Sequence, residues 1–558
     1  MNSLTVIQAA QGLAAHVKKT FDAASLKRGV VIGYDGRYQS EHFAHLMASV
    51  MHHEGIYTYV FGRVVPTPFV AFGVRYLRCL AGAMITASHN AKEYNGCKVF
   101  WERGTQIVSP QDKHIAQSIA EHLEPKKTSW QPFKGDADPL DEVTDAYFRN
   151  FLHHYRPHHL DPVAPRAANT SRPDPGKQRY VITYTAMHGV GTPFMLRALK
   201  ELRVAVEDVV LVKAQAQPDP AFPTVRFPNP EEGARSMRLA LETARACGAS
   251  LILANDPDAD RLSVGEEDPH SQDYRLFNGN EMGALLGWWA LECVKLRQRT
   301  ETAAAGDLSN YVFLHSAVSS SLLGSLAAKE GATCIETLTG FKWMGSIAER
   351  LEREDATKKV LFAYEESIGY MWGNHVYDKD GITAAAIVAD MALYLMRHHQ
   401  RRLADQLELL YQHVGYHLTS GSYVTATDVV KVPAVITSLQ TRDAGGYPRR
   451  VAGVAVAHVR DLAAGVDTRQ ADGKATLPTS KSSPIVTLYF ANQVRFTLRG
   501  SGTEPKLKWY AEMITSDRSA RGAFEHFVRT VVEELVEPEK HGFKRRPEDI
   551  EAAQKSKC

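Results

Sequence analysis

Three aspartates at alternate positions, Asp256, Asp258 and Asp260, follow the apolar run Leu251-Ile252-Leu253-Ala254 and are closed by Arg261. Alternation along an extended loop turns all three carboxylates toward one point, and a hard cation such as Mg2+ takes oxygen ligands of that kind. A solvated acidic turn and an EF-hand loop are the competing readings, since Glu267 falls at the last ligand position of such a loop. Arg261 stands where an EF-hand needs glycine, and a strand leads in where it needs a helix, so a metal loop is favoured. A second segment, Thr86-Ala87-Ser88-His89-Asn90, puts a hydroxyl and an imidazole at the end of a strand-like run, where open α/β sheets place their ligands. Taken singly, Ser88, His89 and the nearby Lys98 each read as ordinary turn or surface residues. A third, Arg499-Gly500-Ser501-Gly502-Thr503 running on to Lys508, joins glycine-freed amides, hydroxyls and cations into a candidate phosphate cradle. Gly189-Val190-Gly191 is too short to be a dinucleotide fingerprint.

These segments need a scaffold, and the sequence supplies alternating strand and helix signals. Val30 to Ile32, Tyr57 to Phe61, Cys79 to Ile85, Arg179 to Tyr184, Ala249 to Ala254, Tyr311 to Leu314 and Val360 to Ala363 read as strands. Helices are expected from Glu41 to His53 with Ser40 as cap, Phe194 to Glu201, Glu232 to Ala246, Met282 to Val294, Thr383 to Arg397 and Leu403 to His413. This alternation implies mainly parallel sheets covered by helices. From Val451 on, short alternating runs and a closing helix, Ala520 to Val536, indicate a smaller α+β unit. Arg156 to Gln178, rich in proline, is the expected linker, Arg299 to Ser309 a further boundary, and Lys544-Arg545-Arg546 a frayed tail.

The 558 residues allow three to four domains at roughly 150 residues each. With 65 Lys+Arg against 63 Asp+Glu, the net charge of +2 argues against a nucleic-acid surface. The apolar run Met282 to Val294 falls short of the roughly 20 residues a bilayer span needs, so no membrane is expected. Six scattered cysteines without a CxxC pair, and an amino terminus without a signal-like apolar core, suggest free thiols in the cytoplasm.

In chain order, Thr86 to Asn90, Asp256 to Arg261, Thr339-Gly340-Phe341-Lys342, Glu365-Glu366-Ser367 and Arg499 to Thr503 resemble the signature loops of the α-D-phosphohexomutase superfamily. Asn95 to Trp101, Pro228 to Gly233, Gly283 to Ala290 and Leu477 to Ser483 are similar to its phosphoglucomutase 2 type, the phosphopentomutase-like branch. The resemblance implies an α/β fold. Three similar α/β/α domains with mixed, mainly parallel sheets (1–165, 166–303 and 304–412) and a C-terminal TATA-binding-protein-like α+β domain (413–558) would surround a central cleft. It also implies roles. Ser88 would carry the phosphoryl group and share Mg2+ with Asp256, Asp258 and Asp260, with His89, Lys98 and Arg261 around the reacting phosphate. Glu365 and Ser367 would bind sugar hydroxyls, with Thr339, Gly340, Lys342 and Lys379 flanking them, and Arg499, Ser501, Gly502, Thr503 and Lys508 would grip the other phosphate.

The implied activity is an Mg2+-dependent phosphosugar mutase with a small-molecule substrate, activated by a sugar bisphosphate such as glucose 1,6-bisphosphate, as a monomer or homodimer. A glucose 1,6-bisphosphate synthase and a non-catalytic sugar-phosphate-binding protein are the alternatives. Family members have a Gly-rich, Arg-containing strand before the segment equivalent to Asn2-Ser3-Leu4-Thr5, so an upstream start is expected. Ala91 stands where the family usually has proline, a change expected to be tolerated.

Overall fold

Val30-Val31-Ile32-Gly33-Tyr34 has no charged residue, and it forms β1 (Val30–Tyr34), buried at every position as a strand covered on both faces must be. The computed structural model describes residues 1–155, 180–271, 273–301, 307–426, 428, 430–443, 446–479, 484–500 and 505–546. It divides into two compact units, Met1–Ser316 with Leu326–Leu407, and Ala317–Ser325 with Glu408–Cys558.

The first unit starts with a helix that was not among those expected, α1 (Ser3–Thr20). Asn2 caps it, accepting from the Thr5 amide at 3.0 Å, and Val6, Ile7, Ala10, Leu13 and Val17 are buried. Next come β1, α2 (Ser40–His53), β2 (Thr58–Val60), α3 (Thr67–Tyr76), β3 (Ala81–Ile85), β4 (Cys97–Trp101), α4 (Gln111–Glu121) and α5 (Leu140–Tyr155). The sheet order is β2-β1-β3-β4, parallel except for β4. A second sheet follows from β5 (Ile182–Thr185), α6 (Thr192–Glu201), β6 (Val209–Leu211), α7 (Arg238–Cys247), β7 (Leu251–Ala254), β8 (Ser263–Asp268) and β9 (Asp273–Phe277). Its order is β6-β5-β7-β8-β9, with β8 and β9 antiparallel. A third uses α8 (Gly279–Glu301), β10 (Tyr311–Ser316), α9 (Leu322–Glu330), β11 (Thr333–Thr337), α10 (Phe341–Glu354), β12 (Lys359–Glu365) and β13 (Gly369–Trp372), before α11 (Gly381–His399) and α12 (Leu403–Val414). Its order, β11-β10-β12-β13, repeats the first, with only β13 antiparallel. A threefold structural repeat thus lies beneath a sequence with no visible repeat.

The second unit is antiparallel. Its strands β14 (Tyr416–Thr425), β15 (Arg450–Val451), β16 (Val454–Asp461), β17 (Val466–Asp467), β18 (Ile485–Phe490), β19 (Val494–Gly500), β20 (Lys506–Thr515) and β21 (Lys544–Arg545) form one sheet. Two helices, α13 (Lys431–Ser438) and α14 (Arg521–Leu535), complete an α+β core of Leu488, Phe496, Leu498, Trp509, Phe524 and Val531.

Three local expectations change. Ser40 does not cap α2: the cap position is Gln39 at φ 66°, and the Ser40 hydroxyl donates to Asp35 at 2.7 Å. The helix expected from Glu232 starts at Arg238, because Gly233 at φ 67° interrupts the preceding 3-10 turns. Lys544 and Arg545 pair with β14 instead of fraying, and Arg545 lies 2.6 Å from Glu533. The expected linker from Arg156 lies outside the described residues, as do residues 302–306 of the next boundary. Among the described residues, no helix is long and apolar enough to cross a membrane.

Candidate active site

The Ser88 loop is wound around a buried guanidinium. After β3, the Ser88 amide donates to Thr86 Oγ1 at 2.8 Å, and that hydroxyl donates to Asp35 Oδ2 at 2.7 Å. Asp35 pairs with Arg37 at 3.1 Å, and Arg37 donates to the carbonyls of Ser88, Asn90, Ala91 and Tyr94. Burial pushes the Asp35 carboxyl up, and Arg37 is the main influence in the opposite direction. The loop uses the carbonyl of Ala91 in this clasp, which any residue supplies. Ser88 itself sits at φ 52°, a left-handed conformation that turns its side chain out of the strand direction.

Facing Ser88 is the aspartate segment after β7. It is a turn and not the extended loop expected: the Ala259 amide donates to Asp256 O at 2.9 Å, with Ala259 at φ 53°. Asn255 braces it, donating to Arg261 O at 2.6 Å and accepting from Tyr184 at 2.8 Å. The turn still brings the three carboxylates together, each fully buried, with ligand atoms within 4.8 Å of one another. Ser88 Oγ donates to Asp256 Oδ2 at 2.9 Å and lies 3.3 Å from His89 Nδ1. Lys98 spans Asp258 at 2.6 Å and Asp260 at 2.5 Å, Thr67 donates to Asp258 at 2.5 Å, and Lys379 lies 3.3 Å from Asp260.

Burial and the neighbouring Asp258 and Asp260 hold the Asp256 carboxyl well above the usual carboxylate range. Burial alone would also raise Asp260, but Lys379, Lys98 and Arg261 outweigh it and hold that carboxyl low. Against burial, Asp258 and Asp260 hold the Lys98 ammonium above its ordinary range. Asp258 Oδ1 and Asp260 Oδ1 are buried with no hydrogen-bond partner among the described residues. Bare buried carboxylate oxygens are costly, and a hard divalent cation is the partner such oxygens fit.

The third sheet brings Lys379, Gly340 and Glu365 to the same place. Glu365, at the end of β12, accepts from the Gly340 amide at 3.1 Å and acts on both Arg261 and Lys379. Asp380 caps α11, accepting from the Ile382 and Thr383 amides, while the Gly381 amide donates to Ala259 O at 3.1 Å. Among the described residues, no hydrogen bond or ion pair joins Thr339, Lys342 or Ser367 to the aspartates or Ser88. Arg261 pairs with Glu231 at 3.1 Å. In the second unit, Arg499 and Lys508 are direct cross-strand partners, and Arg499 Nε is buried without a hydrogen bond among the described residues. Ser501, Gly502 and Thr503 lie outside the described residues.

Sequence reasoning missed Asp35, Arg37, Thr67, Glu231 and Asp378, the last of which accepts from Gln106 at 2.7 Å. Asp35-Gly36-Arg37, polar directly after a buried strand, carried a signal, as did Glu231 within the Pro228 to Gly233 segment.

Residues 1–126, 160–269 and 278–414 match α/β/α domains I, II and III described as phosphoglucomutase/phosphomannomutase. The chain belongs to the phosphoglucomutase/phosphomannomutase family. Its position in the phosphopentomutase-like branch follows from relatives along its length. It is 40% identical to a phosphopentomutase of Mus musculus, over 98% of this chain and 87% of that one. It is 39% identical to a glucose 1,6-bisphosphate synthase of Homo sapiens (97% and 86%) and 34% identical to a phosphoribomutase of Saccharomyces cerevisiae (93% and 84%). In fold it matches the Paramecium phosphoglucomutase parafusin, with a TM-score of 0.64 at 17% identity over 95% of this chain and 90% of that one. A family protein from Burkholderia thailandensis gives 0.62 at 16% identity, over 96% and 94%. The family makes this chain an enzyme, a phosphosugar mutase.

Proposed function

We propose that this mutase moves a phosphoryl group between the 1-position and the terminal position of a sugar, with Ser88 as carrier. Pentose phosphates are the first choice of substrate and glucose phosphates the second, since relatives named phosphopentomutase and phosphoribomutase match nearly the whole chain. The observation that carries the reading is the Ser88 hydroxyl 2.9 Å from a buried aspartate cluster with bare oxygens. Asp256, Asp258 and Asp260, with an oxygen of phosphorylated Ser88, would hold Mg2+, which when bound neutralises charge on a phosphoryl group in transfer.

In the proposed forward step the Ser88 Oγ–P bond breaks as a bond forms from phosphorus to a sugar hydroxyl oxygen. The hydroxyl proton passes to Ser88 Oγ, a transfer assigned to His89. In the return step the other sugar O–P bond of the bisphosphate breaks as Ser88 Oγ bonds to that phosphorus, and the Ser88 hydroxyl proton passes to the freed sugar oxygen, which restores the phosphorylated enzyme. Lys98 contributes fixed positive charge beside the transfer. Arg261 and Lys379 do so with it, Glu365 and Ser367 hold sugar hydroxyls beside Thr339, Gly340 and Lys342, and Arg499 and Lys508, with Ser501, Gly502 and Thr503, hold the phosphate that is not reacting.

A second reading, glucose 1,6-bisphosphate synthase, is supported by the human relative of that name at 39% identity. There Ser88 takes its phosphoryl group from a separate donor. The free state of all five described cysteines supports the cytoplasm as location.

The test is turnover of ribose 1-phosphate, glucose 1-phosphate and mannose 1-phosphate, each with Mg2+ and catalytic sugar bisphosphate. Ser88→Ala and EDTA should each abolish it; a fully active Ser88→Ala variant overturns the phosphoserine reading. Bisphosphate accumulation only when 1,3-bisphosphoglycerate is added selects the synthase.

A further inference from the structure

A second collection of cations lies in the first unit, outside the Ser88 loop and the aspartate turn. An open cavity of about 760 Å3 is lined by Arg28, Arg75, Arg78, Arg103 and Arg353 against Glu102, Glu349 and Glu352. Five guanidinium groups face three lining carboxylates, and Glu354, 3.6 Å from Arg353, brings the excess down to one positive charge, with the pairing uneven. Glu349 is shared by Arg103 at 3.1 Å and Arg353 at 3.2 Å, and Arg28 reaches Glu102 only at 3.4 Å. Glu352 is occupied by the Tyr377 hydroxyl at 2.7 Å and the Val360 amide at 3.0 Å.

Arg78 is exposed, and its guanidinium has no hydrogen bond or ion pair among the described residues. Its backbone is nonetheless fixed, with its carbonyl taken by Arg28 Nε at 2.8 Å. Arg75 is equally rigid, lying 4.4 Å over the Tyr377 ring and donating to Asn374 O at 2.6 Å. Exposed ion pairs of this kind contribute little, whereas guanidinium and phosphate form charge-assisted, two-pronged hydrogen bonds. The volume lies within the range of small-ligand sites.

We propose that this cavity binds a small metabolite carrying at least two phosphate groups, at a place separate from the transfer chemistry. It has a route to that chemistry. Asn374 and Tyr377 line it, and the same segment continues to Lys379, 3.3 Å from Asp260. A ligand seated there bears on the position of Lys379, and so on KM.

The test is calorimetric titration of the whole protein with inorganic pyrophosphate, on an Arg499→Ala background so that the phosphate cradle of the second unit does not contribute. Binding is expected, with an affinity about tenfold or more lower once Arg78→Ser and Arg103→Ser are added. Arms with ADP and glucose 1,6-bisphosphate distinguish a nucleotide from a sugar ligand. In the otherwise unaltered protein, Arg78→Ser with Arg103→Ser should leave turnover without pyrophosphate unchanged. No pyrophosphate binding, or binding unchanged by the two substitutions, overturns the proposal. If the double substitution unfolds the chain, Arg78→Ser alone decides.

Discussion

Asp258 and Asp260 each give one oxygen to Lys98 and keep the other buried without a hydrogen bond among the described residues. Lys98 is joined at Asp260 by Lys379 at 3.3 Å and Arg261 at 4.0 Å, and the carboxylate oxygens left without a hydrogen bond are those that suit a divalent cation. Asp258→Asn should raise the Mg2+ concentration needed for half-maximal turnover roughly tenfold or more, with the thermal midpoint read alongside. An Mg2+ titration of activity that matches wild type would count against these ligands. The aspartates were legible because three carboxylates crowded into five residues after an apolar run repel one another unless a cation sits among them. Thr67 was not, because its partner Asp258 is 191 positions away. Arg37 was half legible: its place after β1 was visible, but its carbonyl partners lie 51 to 57 positions on. Pairings of that kind exist only in the fold.

At the level of elements, the aspartate turn leans on the first residue of α11. A Cβ at Gly381 would sit 2.3 Å from Arg261 O and 2.6 Å from Asn255 Nδ2, so nothing larger than glycine fits. Gly381→Ala should push α11 off the turn and lower kcat about tenfold or more with the protein still folded, because small misplacements at such sites are costly. Glu266 on β8 plays a structural part, accepting from the first amides of α12, Leu403 at 2.7 Å and Ala404 at 2.9 Å. Burial pushes its carboxyl up from 4.5 to about 7. A raised acid binds its proton more tightly in the folded state, so its contribution is full below pH 4.5 and is lost as pH rises to about 7. Melting temperatures measured across that window should fall less with pH in Glu266→Gln than in wild type; parallel curves would refute the assignment. Buried strands such as β1 and β7 were legible from unbroken apolar runs. The antiparallel strands β8 and β9 were not, since Glu266, Glu267, Asp268 and Asp273 mask them, and Gly233 hid the late start of α7.

On the scale of the molecule, the aspartate cluster belongs to the first unit, and Arg499 with Lys508 to the second. The two tasks proposed for them, cation binding and grip on the distal phosphate, should separate by mutation. Arg499→Ala is expected to raise KM for the sugar phosphate about tenfold or more while leaving the Mg2+ requirement unchanged; a shift in both would count against the division. The domain classes were readable from the alternation of strands and helices, but the threefold sheet order was not, because topology survives without residue identity. That order has a further consequence. The Ser88 loop joins β3 to β4, the aspartate turn joins β7 to β8, and Glu365-Glu366-Ser367 joins β12 to β13. All three are one connection, from the third parallel strand to its antiparallel neighbour, used three times. Under the proposed function, carrier, cation and sugar recognition would fall to separate copies of a single loop, so that a change of sugar would need new residues in the last copy while the first two stay as they are.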